Sequence, residues 1–226
     1  MKTAIIGDIH GRTLWERLNI NNFDKLIFIG DYFDSHNEIN GRHILDNFNN
    51  IVNLKSKNRE DVILLFGNHD YHYIAIEKYS GYNSLYSFDY KEAIQNSLHL
   101  LNLAYELNKN TIVSHAGISK TWMIGNKIKE DDLYISLHDF LSKYPDSLEF
   151  CGRDMYGDDV TQSPIWIREN ALLRDSAFNT QIIGHTMKKK MCSVNNFGTT
   201  LWFVDVLDTK RQYLLWDEKE FNIVNF

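Results

Sequence analysis

The stretch MKTAIIGDIHG, residues 1–11, decides the fold. Thr3 to Ile6 is an apolar, β-branched run long enough for one buried strand and too short for a helix, and Gly7 ends it just before Asp8 and His10. In an extended segment, residues two apart point to one face, so Asp8 and His10 would offer two donor groups side by side. The same signature returns along the chain. Leu26 to Ile29 runs into GDYFD (30–34), Val62 to Phe66 into GNHD (67–70), Thr111 to Val113 into SHAG (114–117), and Gln181 to Ile183 into GHT (184–186). Each apolar run reads as a buried strand, and each is followed by Asp, Asn or His.

Helix-length stretches separate these strands: Thr13 to Ile20, Ile39 to Lys57 and Lys91 to Leu107. Alternating strand and helix predicts a largely parallel sheet. In such sheets ligands bind beyond the carboxyl ends of the strands, so five polar strand ends are expected to converge in one crevice. Gly7, Gly30, Gly67 and Gly184 stand just before the polar residues, where a chain leaving a strand often needs a backbone conformation that glycine adopts cheaply. The last third changes character. Met191 to Val194, Thr199 to Val206 and Gln212 to Trp216 are β-rich and separated by turn residues, which predicts antiparallel strands and a second sheet packed on the first. The expectation is one α/β domain over 1–226, built as a layered α/β/β/α sandwich with mixed sheets. Residues from about 119 to 175, interrupted by Pro145, Gly152, Gly157 and Pro164, are the candidate cap or substrate-facing insertion.

Composition narrows the function. The 226 residues are 43% hydrophobic and 24% charged with two prolines, an ordinary globular balance that can form a sizeable core. A formal net charge of −6 disfavours an extended nucleic-acid surface, because that mode of binding neutralises many phosphates with Lys and Arg. Apolar runs are strand-sized, short of the roughly 20 residues of a membrane span. Cys151 and Cys192 lack the spacing of a zinc or redox motif and are expected to be free thiols, which fits a cytoplasmic protein.

Together, GDIHG, GDYFD, GNHD, the later His115 and GHT resemble the calcineurin-like metallophosphoesterases, most closely their Ser/Thr protein phosphatase branch with its small bacterial and phage members. The motifs span Gly7 to Thr186, and their order is specific where any one alone is weak. The resemblance implies a binuclear metal centre: Asp8, His10 and Asp31 on a first ion, and Asp31, Asn68, His115 and His185 on a second, with Asp31 bridging. It implies attack of a metal-bridging hydroxide on a phosphate ester, since two divalent ions roughly 3.5–4 Å apart acidify bound water. It further makes His69 the acid for the leaving group, Asp34 the carboxylate that orients it, and Arg168, in SPIWIRE, a grip on phosphate oxygens. The mixed imidazole, carboxylate and amide set suits Mn first, then Fe or Zn.

The pattern also departs from that branch. Ser35-His36 stands where Arg-Gly is usual and Phe66 where Arg is usual, so two phosphate-binding arginines are missing, and His36 is either a partial substitute or a sign of another substrate. Met187 stands where phosphodiesterase branches often carry a second His. Lys188 to Lys190 could hold further phosphates, although such a run is more often a solvated turn. His43, His72, His99 and His138 fit no motif and read as surface or packing residues, with His72, two after Asp70, a lesser candidate for touching substrate, and Trp122, Trp166, Trp202 and Trp216 read as core, with Trp166 near the site. The leading expectation is a phosphatase acting on phosphate monoesters, phosphoserine and phosphothreonine in proteins included. The second is a phosphoesterase for nucleotides, dinucleoside polyphosphates or RNA ends. A non-catalytic metal-binding scaffold is the reading from another class, and it is disfavoured because every ligand position holds a competent residue type.

Overall fold

The computed structural model describes residues 1–226 apart from 36, 38, 59, 130–136, 138, 139 and 197. The five apolar runs form strands within a residue or so of expectation: β1 (Thr3–Ile6), β2 (Lys25–Phe28), β3 (Val62–Leu65), β6 (Thr111–Ser114) and β7 (Thr180–Ile183). They are distributed over two mixed sheets. With β4 (Leu101–Asn102), β10 (Gln212–Trp216) and β11 (Phe221–Asn225), the first sheet runs in the order β11-β10-β1-β2-β3-β4. With β5 (Ala104–Asn108), β8 (Cys192–Asn196) and β9 (Thr199–Phe203), the second runs β5-β6-β7-β9-β8. β1, β2, β3 and β4 pair in parallel, as do β6, β7 and β9. Their carboxyl ends therefore fall on one edge of each sheet.

Alternation along the strands separates the layers. Ile5, Ile27, Ile29, Ile63 and Leu65 of the first sheet meet Val113, Ile182 and Val204 of the second in one core cluster. The residues between them, Ala4, Ile6, Leu26, Phe28, Val62 and Leu64, face the other way into a second cluster. There they meet Ile44, Phe48 and Ile51, the helical stripe of α1 (Gly41–Lys57), and Tyr90 and Ile94 of α3 (Ser87–Ser97). The outer face of the second sheet, through Ile183, Leu201 and Phe203, is covered by Ala171 and Leu172 of the helix Glu169–Asp175. The order is helix, sheet, sheet, helix. Strands covered on both faces must be apolar throughout, which is why β1 and β3 are buried at every position. α1 starts where Asn40 accepts the Arg42 N–H and ends with Lys55 and Lys57 facing the negative pole of its dipole.

Three expectations fail locally. Thr13 to Ile20 forms two short 3-10 turns, Leu14–Arg17 and Ile20–Asn22, pinned by buried Trp15, whose indole N–H donates to Asn47 and whose ring meets Phe28 edge-on. The helix expected over Lys91 to Leu107 stops at Ser97. Leu101 is captured by Leu64 in the first sheet and Ala104 by Ser114 in the second, so tertiary pairing overrides a helix-compatible sequence. In the last third, β9 is antiparallel to β8 as expected but parallel to β7, and β11 was not anticipated. Among the described residues no helix is long and apolar enough to cross a membrane.

Candidate metal centre

The sheet edge gathers all six expected ligand residues. Asp8 and His10 follow β1, Asp31 follows β2, Asn68 opens the one-turn α2 (Asn68–Tyr71), His115 follows β6 and His185 follows β7. One cleft of about 270 Å³ is lined by Asp8, His10, Asp31, Asn68 and His185, and His115 closes its floor, fully buried. His10 Nε2 stands 3.8 Å and His115 Nε2 3.4 Å from Asp31 Oδ2, which places Asp31 at the middle. Asn68 Oδ1 is 2.9 Å from His115 Nε2 and 2.8 Å from His185 Nδ1. Asp8, Asp31 and His115 bring donor atoms within 4.8 Å of one another.

The chemistry of this donor set fits divalent cations. His10 and His115 direct Nδ1 at the carbonyls of Phe33 and Ile29, at 3.0 and 3.1 Å, so in the neutral tautomer Nε2 presents a lone pair toward the carboxylates. Burial, followed by neighbouring carboxylates, pushes Asp8 and Asp31 well above the usual carboxylate range, and burial pushes His115 and His185 well below the usual imidazole range. Crowded acids beside deprotonated imidazoles are stabilised by a cation. Backbone strain marks the same place: His10, Asp31, Asp34 and His185 all have φ between +44° and +58°. Left-handed non-glycine residues cost about 1–3 kcal/mol each and persist only where the surroundings hold them. The glycines serve less uniformly than expected. Only Gly30 of the four takes a positive φ, +107°, whereas Gly184 is needed for space, since a Cβ there would lie 1.9 Å from Asp8 Oδ1.

Beside the ligands, His69 Nδ1 is 2.9 Å from Asp34 Oδ2, as the sequence suggested. Burial alone would raise Asp34, but the contacts from His69, His72 and Tyr73 outweigh it and hold the carboxyl below its usual range. Arg168 lines the same cleft and donates from Nη1 to His185 O and Thr186 Oγ1, at 3.0 and 3.1 Å. Trp166 is core and wall at once, 7% exposed and lining the cleft. Beyond Tyr79, Trp166 and Arg168 the cleft opens into a larger one of about 610 Å³, walled by Phe150, Met155 and Tyr156. On another side Asp208 connects it to a cleft of about 680 Å³ that carries Arg12, Arg17, Arg211 and His43.

Several expectations need correction. Of the two readings of His72, surface or packing, the surface one fails: the ring is fully buried against Tyr73 and Tyr82, and its Nε2 lies 2.7 Å from Asp34 Oδ2. Lys188 does not reach for phosphate, because it pairs with Glu169 at 2.7 Å and lies over the Phe203 ring. His36 and His138 lie outside the described residues. Two groups escaped the sequence reading. Asp70, fully buried, accepts the backbone N–H groups of Asp31, Tyr32 and Gly67 at 2.7–2.9 Å and so ties the second motif to the third. Asp205 lines the metal cleft just past β9 and is raised to about 6, chiefly by burial. Its signal was available: an apolar strand with an acid two residues past its end, hidden because the strand was drawn through to Val206.

The sequence model of the calcineurin-like phosphoesterases matches residues 1–189. No curated protein sequence matches the chain. Among solved structures, a cold-active protein-tyrosine phosphatase of a psychrophilic Shewanella species superposes with TM-score 0.67 at 16% identity, covering 98% of this chain and 77% of its own. A protein serine/threonine phosphatase of Saccharomyces cerevisiae similar to human phosphatase PP5 gives 0.60 at 14%, covering 100% and 79%. At such identities these two likenesses speak for the fold.

Proposed function

Since the chain belongs to the calcineurin-like phosphoesterase family, divalent-metal-dependent hydrolases of phosphate esters, we propose that it is a phosphatase hydrolysing phosphate monoesters, with phosphoserine and phosphothreonine among its substrates. The observation that carries this reading is the meeting, in one cleft, of five donor residues with the buried sixth, His115, against Asp31 and Asn68, together with an arginine and a carboxylate-bound imidazole. Asp8, His10 and Asp31 would hold a first ion and Asp31, Asn68, His115 and His185 a second, Mn before Fe or Zn. When bound, such ions acidify water and neutralise phosphate charge.

The rest falls to the protein. Arg168 has its guanidinium aligned by His185 O and Tyr156 O, so that it can present its fork to phosphate oxygens entering the cleft. His69 has Nδ1 on Asp34, which leaves Nε2 to carry the proton that the departing alkoxide needs. The alcohol portion would lie over Tyr79 and Trp166, whose rings pack 4.6 Å apart where the two clefts join. Phe150, Tyr156, Trp166 and Arg168 all come from the 119–175 segment, which supports its reading as the substrate-facing insertion. Free Cys151, exposed, and Cys192 suit a cytoplasmic setting. A second reading, phosphoesterase action on nucleotides or dinucleoside polyphosphates, is favoured by one feature: the cleft carrying Arg17 and Arg211, beside an Arg12 already paired with Asp208, which could take further phosphates.

The test is a side-by-side hydrolysis panel with Mn-loaded protein: p-nitrophenyl phosphate, phosphoserine and phosphothreonine peptides, a bis-aryl phosphodiester and a dinucleoside polyphosphate. Monoesters should give the highest kcat/KM. Cleavage of only the diester or the polyphosphate would overturn the phosphatase reading.

A further inference from the structure

Asp34 is hydrogen-bonded by His69 and Tyr73 and has a third polar group, His72, in close contact, and the sequence accounts for His69 alone. His69 Nδ1 and His72 Nε2 share its Oδ2, at 2.9 and 2.7 Å, while the Tyr73 hydroxyl donates to Oδ1. The direction of the Tyr73 bond is fixed, because its oxygen also accepts the Asn83 N–H at 2.9 Å, leaving its own proton for Asp34. His72 cannot swing away. Its ring meets Tyr73 and Tyr82 edge-on at 4.6 and 5.3 Å, and those two rings stack 5.0 Å apart. Its Nε2 stands 2.7 Å from Oδ2 without completing a well-formed hydrogen bond, and its Nδ1 has no hydrogen-bond partner among the described residues, so Asp34 is the polar group that the ring meets.

This is an expensive arrangement for packing alone. A fully buried imidazole whose nitrogens lack well-formed hydrogen bonds is less stable than an apolar ring of the same shape in the same place. Burial pushes His72 below the usual imidazole range, which favours the neutral ring, and Nε2 is the nitrogen that faces the carboxylate. The carboxylate in turn sits on a residue with φ +57°, a conformation that needs external support.

We propose that His72 is a positioning residue for leaving-group protonation: standing 2.7 Å from Asp34 Oδ2 and wedged by Tyr73 and Tyr82, it fixes the carboxylate that aims His69. The inference rests on the reading of His69 as the acid. Without His72, Asp34 turns about its side chain, and its less saturated oxygen holds the His69 proton more tightly. Both effects slow proton delivery to a poor leaving group and spare a good one, which departs without help.

The experiment uses Mn-loaded protein, the variants His72→Phe and His72→Gln, and a series of phosphate monoesters from 2,4-dinitrophenyl to phenyl to alkyl. General acid catalysis is worth roughly 10²–10⁴-fold, and loss of its alignment should remove about tenfold of this in His72→Phe on phenyl and alkyl esters. The dinitrophenyl ester should change less than about twofold, with metal content unaltered, and His72→Gln, which keeps a donor, should recover part of the loss. The His69 Nδ1 proton resonance, bound to a carboxylate and recorded on the diamagnetic zinc-loaded protein, should move in both variants, a readout independent of turnover. An equal fall in kcat across the series, or no fall with an unmoved resonance, would overturn the proposal. If His72→Phe does not fold, His72→Gln decides by the same resonance and the same series, an unmoved signal with a uniform slope counting against it. His69→Asn in the same series separates the two levels: a leaving-group-dependent loss there with none in the His72 variants sinks only the His72 inference, whereas no such loss in His69→Asn sinks the acid reading beneath it.

Discussion

Replacing Gly184 by alanine should expel the first metal while leaving the fold in place. The added Cβ would lie 1.9 Å from Asp8 Oδ1 and 2.7 Å from Ile29 Cγ2, where ordinary contact begins near 3.4 Å. The carboxylate must therefore retreat by 3.4 less 1.9, or about 1.5 Å, far beyond the ±0.2 Å or so within which a ligand distance can vary. Asp8 also accepts the His185 N–H at 2.9 Å, so the shift disturbs a second ligand. Overpacking of this kind costs about 1–3 kcal/mol, and a chain of this size loses roughly 2–4 °C of Tm per kcal/mol, so Tm should fall by about 2–12 °C. Gly125→Ala is the control, because nothing lies within 4 Å of its Cβ position. Thermal melts and metal analysis on Mn-equilibrated protein provide the assay. Full occupancy with wild-type turnover in Gly184→Ala would refute the placing of Asp8 among the ligands.

Other substitutions test the remaining roles. His69→Asn should leave metal content intact and slow hydrolysis of alkyl monoesters by about 10²–10⁴-fold in steady-state assays, with activated aryl esters least affected. Arg168→Lys keeps the charge but loses the planar fork; kcat/KM should drop about 10- to 100-fold, the worth of a charge-assisted hydrogen bond of roughly 1.5–3 kcal/mol. Metal affinity, followed by titration from pH 8 to 5.5, should weaken as pH falls. The sign follows from the carboxyls: Asp8, Asp31 and Asp205, raised chiefly by burial and the last to about 6, take up protons that a cation must displace, whereas His115 and His185 are lowered and do not compete. Asp205→Asn should flatten that dependence near pH 6.

The strands that carry ligands were legible because they are buried on both faces and end in glycine or serine followed by a donor, a pattern set by local chemistry alone. The helix expected through Leu107 was not, because Leu101 and Ala104 take their conformation from partners in two different sheets, 37 and 10 residues away in sequence. His10, Asp31 and His185 could be named from motif order, but Asp70 and His72 could not. Their roles consist of contacts with Asp31, Tyr32, Gly67 and Asp34, and no spacing rule encodes a carboxylate reaching back to three amides or an imidazole gripping a carboxylate 38 residues earlier. Asp205 lies between these cases, its strand recognised and its end misplaced by a few residues.

The most direct measurement is an anomalous difference map from crystals grown with Mn, recorded at the manganese edge. Two peaks about 3.5–4 Å apart are expected, one on each side of the Asp31 carboxylate and within bonding reach of Asp8 and His10 on one hand and Asn68, His115 and His185 on the other. A map with no peak at Asp31, or with manganese only elsewhere on the chain, would contradict the binuclear centre and every role built around it.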